Sequence, residues 1–275
     1  MPSAQLAPLP IAAPAAYHYQ ELPDGDRVRA HALAEECALA LSCNGVSQAV
    51  MMVSPNDLED FAAGFCIGQG LVGSIDEIYD IQLHGAGDAR EARLQLSNRA
   101  FWALKRQRRL LAGSTGCGLC GVAALDQALP ELPSLPGACL PPPQHLHQLR
   151  QRIAEHQCLA RDSGALHAAL FVDADGRILL CREDIGRHNA LDKLIGALAR
   201  QRLLPAAGFA VVTSRCSLEL IHKAVRAGLS TLVSLSAPSS LTVDWARRLR
   251  LNLIHLPDRH APRVYSPAPV AGAGA

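Results

Sequence analysis

Between residues 167 and 256 the chain alternates short apolar runs with helical patterns, and this rhythm restricts the possible folds more than any other feature of the sequence. AALFV (168–172) and RILLC (177–181) flank Asp175-Gly176, a pair that favours a tight hairpin turn. Leu191, Leu194, Ile195 and Leu198 recur at helical spacing, and FAVVT (209–213) reads as the next strand. A helix from Ser217 to about Ala227 ends at Gly228, which tolerates the left-handed backbone of a helix end. STLVSL (230–235), SSLTVDWARRL (239–249) and LNLIHL (251–256) continue as strand, helix and strand, and Leu146, Leu149 and Ile153 place a further helix in front. Strands separated by helices pair through crossovers. The expected fold is therefore α/β, a mostly parallel sheet with helices on both faces.

The front half reads as a smaller amino-terminal α+β subdomain. Apolar stretches within 28–53 are split by Asn44-Gly45, a strong hairpin signal, giving strand, turn, strand. Ser54-Pro55-Asn56-Asp57 then offers a cap for a helix carrying Leu58, Phe61, Ala62 and Phe65 on one face. LPELPSLPGACLPPPQ (129–144) is too rich in proline to continue a helix or a central strand and reads as a linker. The expected organisation is a loose Ala/Pro-rich tail over 1–25, the subdomain over 26–128, the linker, a second domain over 145–266, and a tail over 267–275.

Charge and cysteine content exclude several functional classes. With 26 basic and 25 acidic side chains the net charge is +1, so no broad field attracts nucleic acid or anionic membrane. No apolar run approaches the roughly 20 residues of a membrane-spanning helix. The amino terminus lacks the basic start and compact apolar segment of a secretion signal, which predicts a cytoplasmic protein. Nine cysteines, an odd number in a chain of 275 residues, do not suggest a secreted disulfide scaffold. Lysine occurs only at Lys105, Lys193 and Lys223. Nearly all positive charge is thus arginine, whose planar fork suits phosphate.

In a sheet of this kind ligands collect beyond the carboxyl ends of the strands, where helix amino termini present free N–H groups. Three turns have that position: Arg182 to Asn189, Ser214 to Ser217, and Ser236 to Ser240. They supply small hydroxyls, glycine and arginine, groups fit for a phosphate or nucleotide, although such turns also serve as plain helix caps. His188, beside Arg187 and Asp184, is a better functional candidate than His167, which sits in an apolar context.

The sharpest local signal is GSTGCGLCG (113–121), where Cys117 and Cys120 stand two residues apart among glycines. Glycine packs nothing and costs entropy, so this is a poor setting for inert buried sulfurs. The following VAALDQAL looks helical; a thiol just ahead of a helix start, with Arg106, Arg108 and Arg109 near in sequence, favours its thiolate. Three chemistries compete. A structural zinc wants four ligands, and Cys37, Cys43, Cys139, Cys158, Cys181 and Cys216 supply no second CxxC, so no zinc or other metal site is expected. A dithiol redox site is chemically possible, and so is a mobile sulfur carrier whose persulfide visits a donor and an acceptor. GQGLVG (68–73) formally matches a dinucleotide fingerprint but follows a helix instead of a strand, and reads as a helix-ending turn. The paired HxE and PCxxC of a zinc deaminase is missing.

Taken together, REDIGRHNALDKLIG (182–196), TSRCSLELIHKAVRAG (213–228), VSLSAPSSL (233–241), DSGALHAAL (162–170) and GCGLCG (116–121) resemble the FdhD family, from about Glu36 to Tyr265. The resemblance implies a cytidine-deaminase-like core without the deaminase zinc, and commonly a homodimer. It implies a sulfurtransferase whose loop (112–121) accepts a persulfide from a cysteine desulfurase. The sulfur then passes to the molybdenum of bis-molybdopterin guanine dinucleotide before that cofactor enters formate dehydrogenase. Cys117 matches the persulfide cysteine and Cys120 its partner. Asp184, Gly186, Arg187, His188, Asn189, Ser214, Arg215 and Ser217 match contacts to guanine or pyrophosphate. Leu256, Pro257, Asp258, Arg259, His260 and Ala261 align with a further cofactor-contacting stretch, usually Phe-x-Arg-Gly-Gly-Arg.

Overall fold

The computed structural model describes residues 16–22, 28–112 and 129–269. Short strands β1 (Ala16–Gln20) and β2 (Val28–Ala32) pair antiparallel as a two-stranded sheet of their own. β3 (Cys37–Cys43) and β4 (Val46–Val53) form the expected hairpin, with Asn44 (φ 48°) and Gly45 (φ 76°) both left-handed at the turn. β5 (Ile78–Ala86) and β6 (Ala89–Leu96), a second hairpin that the sequence reading did not anticipate, complete a sheet of order β4-β3-β6-β5. Its inward residues, among them Leu39, Leu41, Ala92, Leu94 and Leu96, are buried, as strict alternation along a strand requires.

α1 (Leu58–Gly68) covers that sheet. Its start differs from expectation: Asp57 is left-handed (φ 51°) and makes no side-chain cap bond, while Ser54 turns away to the second half of the molecule. Its end is as read. The GQGLVG segment is a helix stop, with Gly70 at φ +72° and the Leu71 N–H reaching back to the Cys66 carbonyl. α2 (Asn98–Ala112) follows, and residues 129–142 hold no regular element.

The second sheet carries the alternation seen in the sequence. After α3 (Leu149–His156) and a short α4 (Leu159–Ser163) come β7 (His167–Asp173), β8 (Ile178–Asp184), α5 (Arg187–Arg200), β9 (Gly208–Val212), α6 (Leu218–Arg226), β10 (Thr231–Ser234), α7 (Ser240–Arg248), β11 (Asn252–His255) and β12 (Arg263–Ser266). The order is β12-β11-β10-β9-β7-β8. β8, β9, β10 and β11 point one way, but β7 lies reversed between β8 and β9, and β12 is reversed at the edge. The sheet is thus mixed. The tight Asp175-Gly176 turn forces β8 to run against β7, since parallel neighbours need a longer crossover.

Both faces are covered, as expected. Ala169, Phe171, Ala210, Val212 and Leu253 face α5, α6 and α7; Ala168, Leu170, Val211 and Ile254 face Leu149 and Ile153 of α3. The first of these clusters is continuous with the β3–β6 sheet through α1, which packs on α5. Among the described residues no helix is long and apolar enough to cross a membrane.

Candidate functional site

The strand directions bring one set of chain segments to a single sheet edge. The carboxyl ends of β8, β9, β10 and β11 lie there, with the first residues of the reversed strands, His167 of β7 and Arg263 of β12. The turns containing Asp184–Asn189, Ser214–Ser217 and Leu256–Ala261 therefore share one edge. α5 and α6 begin at this edge behind Gly186 and Ser217, neither of which makes a side-chain cap bond, whereas Ser239 caps α7 by accepting from the Thr242 N–H. Two helix amino termini thus keep N–H groups without side-chain caps at one place, an arrangement that favours anions.

His188 links these two helix starts. Its Nε2 lies 3.1 Å from the Ser217 hydroxyl and 3.4 Å from the Glu219 carboxylate. Burial holds the His188 pKa below its usual value; Glu219 pulls the other way and is outweighed. His167 is likewise held down, by burial and then by the Arg187 guanidinium, and His255 by burial, then by Arg263 and Arg150. Arg187, Arg263 and Arg150 thus add to the effect of burial on the imidazoles of this edge. Arg187 is half-buried, and its Nε is enclosed without an acceptor among the described residues. His255, 7% exposed, has an enclosed Nδ1 in the same condition. Buried polar atoms are seldom left without partners, so these two mark places where a ligand can supply them.

Other predicted residues stand behind this surface. Asp184 is fully buried: its carboxylate accepts from the Ser54 N–H (3.0 Å), the Gly186 N–H (2.8 Å) and the Asn189 side-chain amide (2.9 Å), and pairs with Lys193 at 2.8 Å. Asn189 is buried and also donates to the Met52 carbonyl (2.8 Å). Gly186 is required because a Cβ there would stand 2.6 Å from the Asn189 amide nitrogen. Asp184, Gly186 and Asn189 shape the turn and tie it to the first half. Ser214 is buried, its hydroxyl donating to the Arg215 carbonyl (3.1 Å), while Arg215 is exposed. Leu256 belongs to the apolar layer under α3, Pro257 is half-buried, and Asp258, Arg259, His260 and Ala261 are exposed.

Arg150 of α3, absent from the sequence reading, ties the segment after β10 to the one after β11. Its Nη2 donates to the Leu235 carbonyl (2.6 Å) and the Leu256 carbonyl (2.7 Å), just past the ends of β10 and β11. Nothing local marks this residue on an amphipathic helix. His255 did carry a signal, an imidazole closing a short strand after Leu253 and Ile254. Cys117 and Cys120 lie outside the described residues; α2 ends at Ala112 and the description resumes at Leu129. Among the described residues no group of His, Cys, Asp and Glu has the arrangement of a metal site.

A family described as FdhD/NarQ matches residues 34–269. The chain belongs to this family. Relatives named sulfur carrier protein FdhD include one from Burkholderia mallei, 44% identical over 227 residues, covering 80% of this chain and 83% of the relative. One from Chromobacterium violaceum is 44% identical over 229 residues (82% and 83% covered), and one from Bordetella bronchiseptica 39% over 234 residues (85% of each). A crystal structure from Desulfotalea psychrophila, named as a formate dehydrogenase accessory protein, superposes with a TM-score of 0.71 over 91% of this chain and 95% of that one. Its 23% identity makes this a likeness of fold alone. FdhD/NarQ membership agrees with the resemblance read from the sequence and covers both the thiol segment and the sheet edge.

Proposed function

We propose that this chain is a sulfur carrier serving formate dehydrogenase, with the Cys117–Cys120 segment as its sulfur-bearing part and the sheet edge as the seat of the sulfur acceptor. The observation that carries the reading is the sulfur carrier name borne by relatives 39–44% identical over most of the chain, the pair Cys117 and Cys120 standing in its family context.

In this reading a cysteine desulfurase loads Cys117 as a persulfide. Attack of the Cys120 thiolate on the inner sulfur of Cys117 forms a Cys117–Cys120 disulfide and expels hydrosulfide; a cellular dithiol then restores both thiols. The acceptor is bis-molybdopterin guanine dinucleotide, held as substrate. Arg187, Arg215 and the amino ends of α5 and α6 would meet its phosphates, Arg187 with an Nε that has no acceptor among the described residues. His188, Ser217 and His255 offer neutral hydrogen-bonding groups to its guanine. A cytidine-deaminase-like description of the core draws support from the β7-to-β11 order with its one reversed strand. We place the protein in the cytoplasm, as a homodimer, on the strength of the family resemblance.

Mass spectrometry of the whole chain after incubation with a cysteine desulfurase and cysteine tests the loading step. Wild type should gain about 32 Da, one sulfur atom, and Cys117→Ala should not. Rescue of formate oxidation by Cys117→Ala in a strain lacking its own carrier would remove the thiol mechanism.

A further inference from the structure

A cavity of about 540 Å³ opens at the opposite end of the six-stranded sheet, where β11 begins and β12 ends. Its wall is the 136–139 segment; buried Asn252 and Ser266 contribute to its lining, and exposed Arg247 and Arg250 of the α7 end stand beside them. No carboxylate lines it among the described residues. The guanidiniums bring two positive charges, against roughly half a negative charge at a helix carboxyl end, so the field in the cavity is positive.

The local backbone is built around this charge. Arg250 follows α7 in the left-handed region (φ 57°), with the Leu251 N–H reaching back to the Ala246 carbonyl at 2.9 Å. Glycine is the usual residue at such a helix end, because a side chain there strains the backbone. Arg250 nevertheless occupies it, and its guanidinium lies across Gly137 so closely that a Cβ there would be 2.7 Å from Nη2. Arg247 is steadied by donation from Nε to the Tyr265 carbonyl, 2.9 Å away. The Asn252 amide draws in the carbonyls of Ala138 (3.1 Å) and Cys139 (3.2 Å).

We propose that this cavity binds the phosphoryl group of a small molecule, with Arg247 and Arg250 as its counter-ions. Two planar forks suit a multiply charged oxyanion better than a single carboxylate. The volume exceeds what one inorganic phosphate fills and lies within the range of about 300–1,000 Å³ usual for small-molecule pockets, which favours a phosphate ester. The site is separate from the sheet edge assigned to the sulfur acceptor, and its failure would leave that assignment untouched.

Cys139 supplies the readout, because it is exposed in the cavity wall. Cys158, exposed where its N–H meets Glu183 near the carboxyl end of β8, lies towards the other edge of the sheet and reports on binding there. Iodoacetamide labelling of the full chain, resolved peptide by peptide, is followed with inorganic phosphate, pyrophosphate, adenosine monophosphate, glucose 6-phosphate or citrate at millimolar concentration. A phosphate compound at ten times its dissociation constant for this cavity should slow Cys139 labelling about tenfold, whatever it does at Cys158. The double variant Arg247→Gln/Arg250→Asn, whose asparagine tolerates the left-handed backbone, should lose this protection and keep the wild-type melting temperature. Calorimetric titration should show one phosphate site fewer in that variant than in wild type, and no such loss of this site in Arg187→Ala. Protection by the esters, or by the free anions alone, supports phosphoryl binding and identifies its source. Protection by citrate only, equal protection in the double variant, or neither protection nor a calorimetric difference overturns it.

Discussion

Gly64 of α1 and Gly196 of α5 meet backbone to backbone where the two helices cross: a Cβ on Gly64 would stand 1.7 Å from the Asp192 carbonyl oxygen, and one on Gly196 1.8 Å from that of Asp60. This crossing joins the β3–β6 sheet to the sheet that carries the candidate site. It also fixes the distance from Ser54 to Asp184, and hence the shape of the turn at 184–189. Alanine in place of either glycine gains about 1 kcal/mol of helix propensity but drives a methyl group into main chain that cannot move aside. Gly64→Ala and Gly196→Ala should each lose more than about 3 kcal/mol in chemical denaturation, or fail to accumulate folded. A wild-type midpoint for either would mean that the helices cross farther apart.

Asp184 and Lys193 lead to an asymmetric expectation. Both side chains are fully buried, and burial lowers the Lys193 pKa despite the pull of Asp184. Lys193→Met leaves a carboxylate that still accepts from Ser54, Gly186 and Asn189. Asp184→Ala leaves those three donors and the ammonium without their common acceptor. Breaking a buried pair costs about 3–5 kcal/mol. Asp184→Ala should fall at or above the top of that range and Lys193→Met near the bottom. Denaturation midpoints that rank the two the other way round would contradict the role given to Asp184.

The same residues mark what a sequence can and cannot disclose here. Periodicity exposes α5, α6, α7 and their strands because each element buries a regular face, and Asn44-Gly45 exposes the first hairpin through its backbone chemistry alone. β5 is half-buried or exposed along its whole length, so it carries little alternation. The reversal of β7 follows from the Asp175-Gly176 turn, a local fact whose effect on the direction of the whole sheet is easily missed. The sheet edge itself is legible, since helix starts after strands define it. Which residues point outward is not: Asp184 turns inward because Ser54, 130 positions earlier, meets it. Arg150 is invisible for the same reason, its two carbonyl partners lying 85 and 106 positions away.

Acid should weaken the fold through its histidines. His222, packed edge-on against Trp245 with ring centroids 4.7 Å apart, has its pKa pushed down from 6.5 to about 4 by burial and then by Arg226. The unfolded chain therefore binds a proton between those values that the folded chain refuses, and stability falls as pH drops from 6.5 towards 4. His167, His188 and His255 are shifted the same way. Asp192 acts in the opposite sense: burial raises its pKa to about 6 in spite of Lys223, so the folded state takes up that proton first. His222→Phe keeps a flat ring on Trp245 and leaves Asp192 in place. The drop in melting temperature between about pH 7 and pH 5 should be smaller in this variant than in wild type; an equal drop would remove His222 from the effect.

Arg187 separates a binding role from a structural one. It is the first residue of α5, where a cation meets the positive end of the helix, and its enclosed Nε has no acceptor among the described residues. It also holds down the pKa of His167 and His188. Each of these is a cost in the unliganded protein. A buried donor without a partner costs about 1–3 kcal/mol, so Arg187→Met should melt at or above the wild-type temperature. If the same guanidinium meets a phosphate, its loss should weaken binding of a guanine nucleotide such as GDP by about 10–100-fold, equivalent to about 1.4–2.7 kcal/mol. Arg187→Lys, which keeps the charge without the fork, should fall between the two. Differential scanning calorimetry and nucleotide titration on the same three proteins decide the matter. A variant that melts lower and binds unchanged would make Arg187 a structural residue and take the strongest phosphate contact away from this edge.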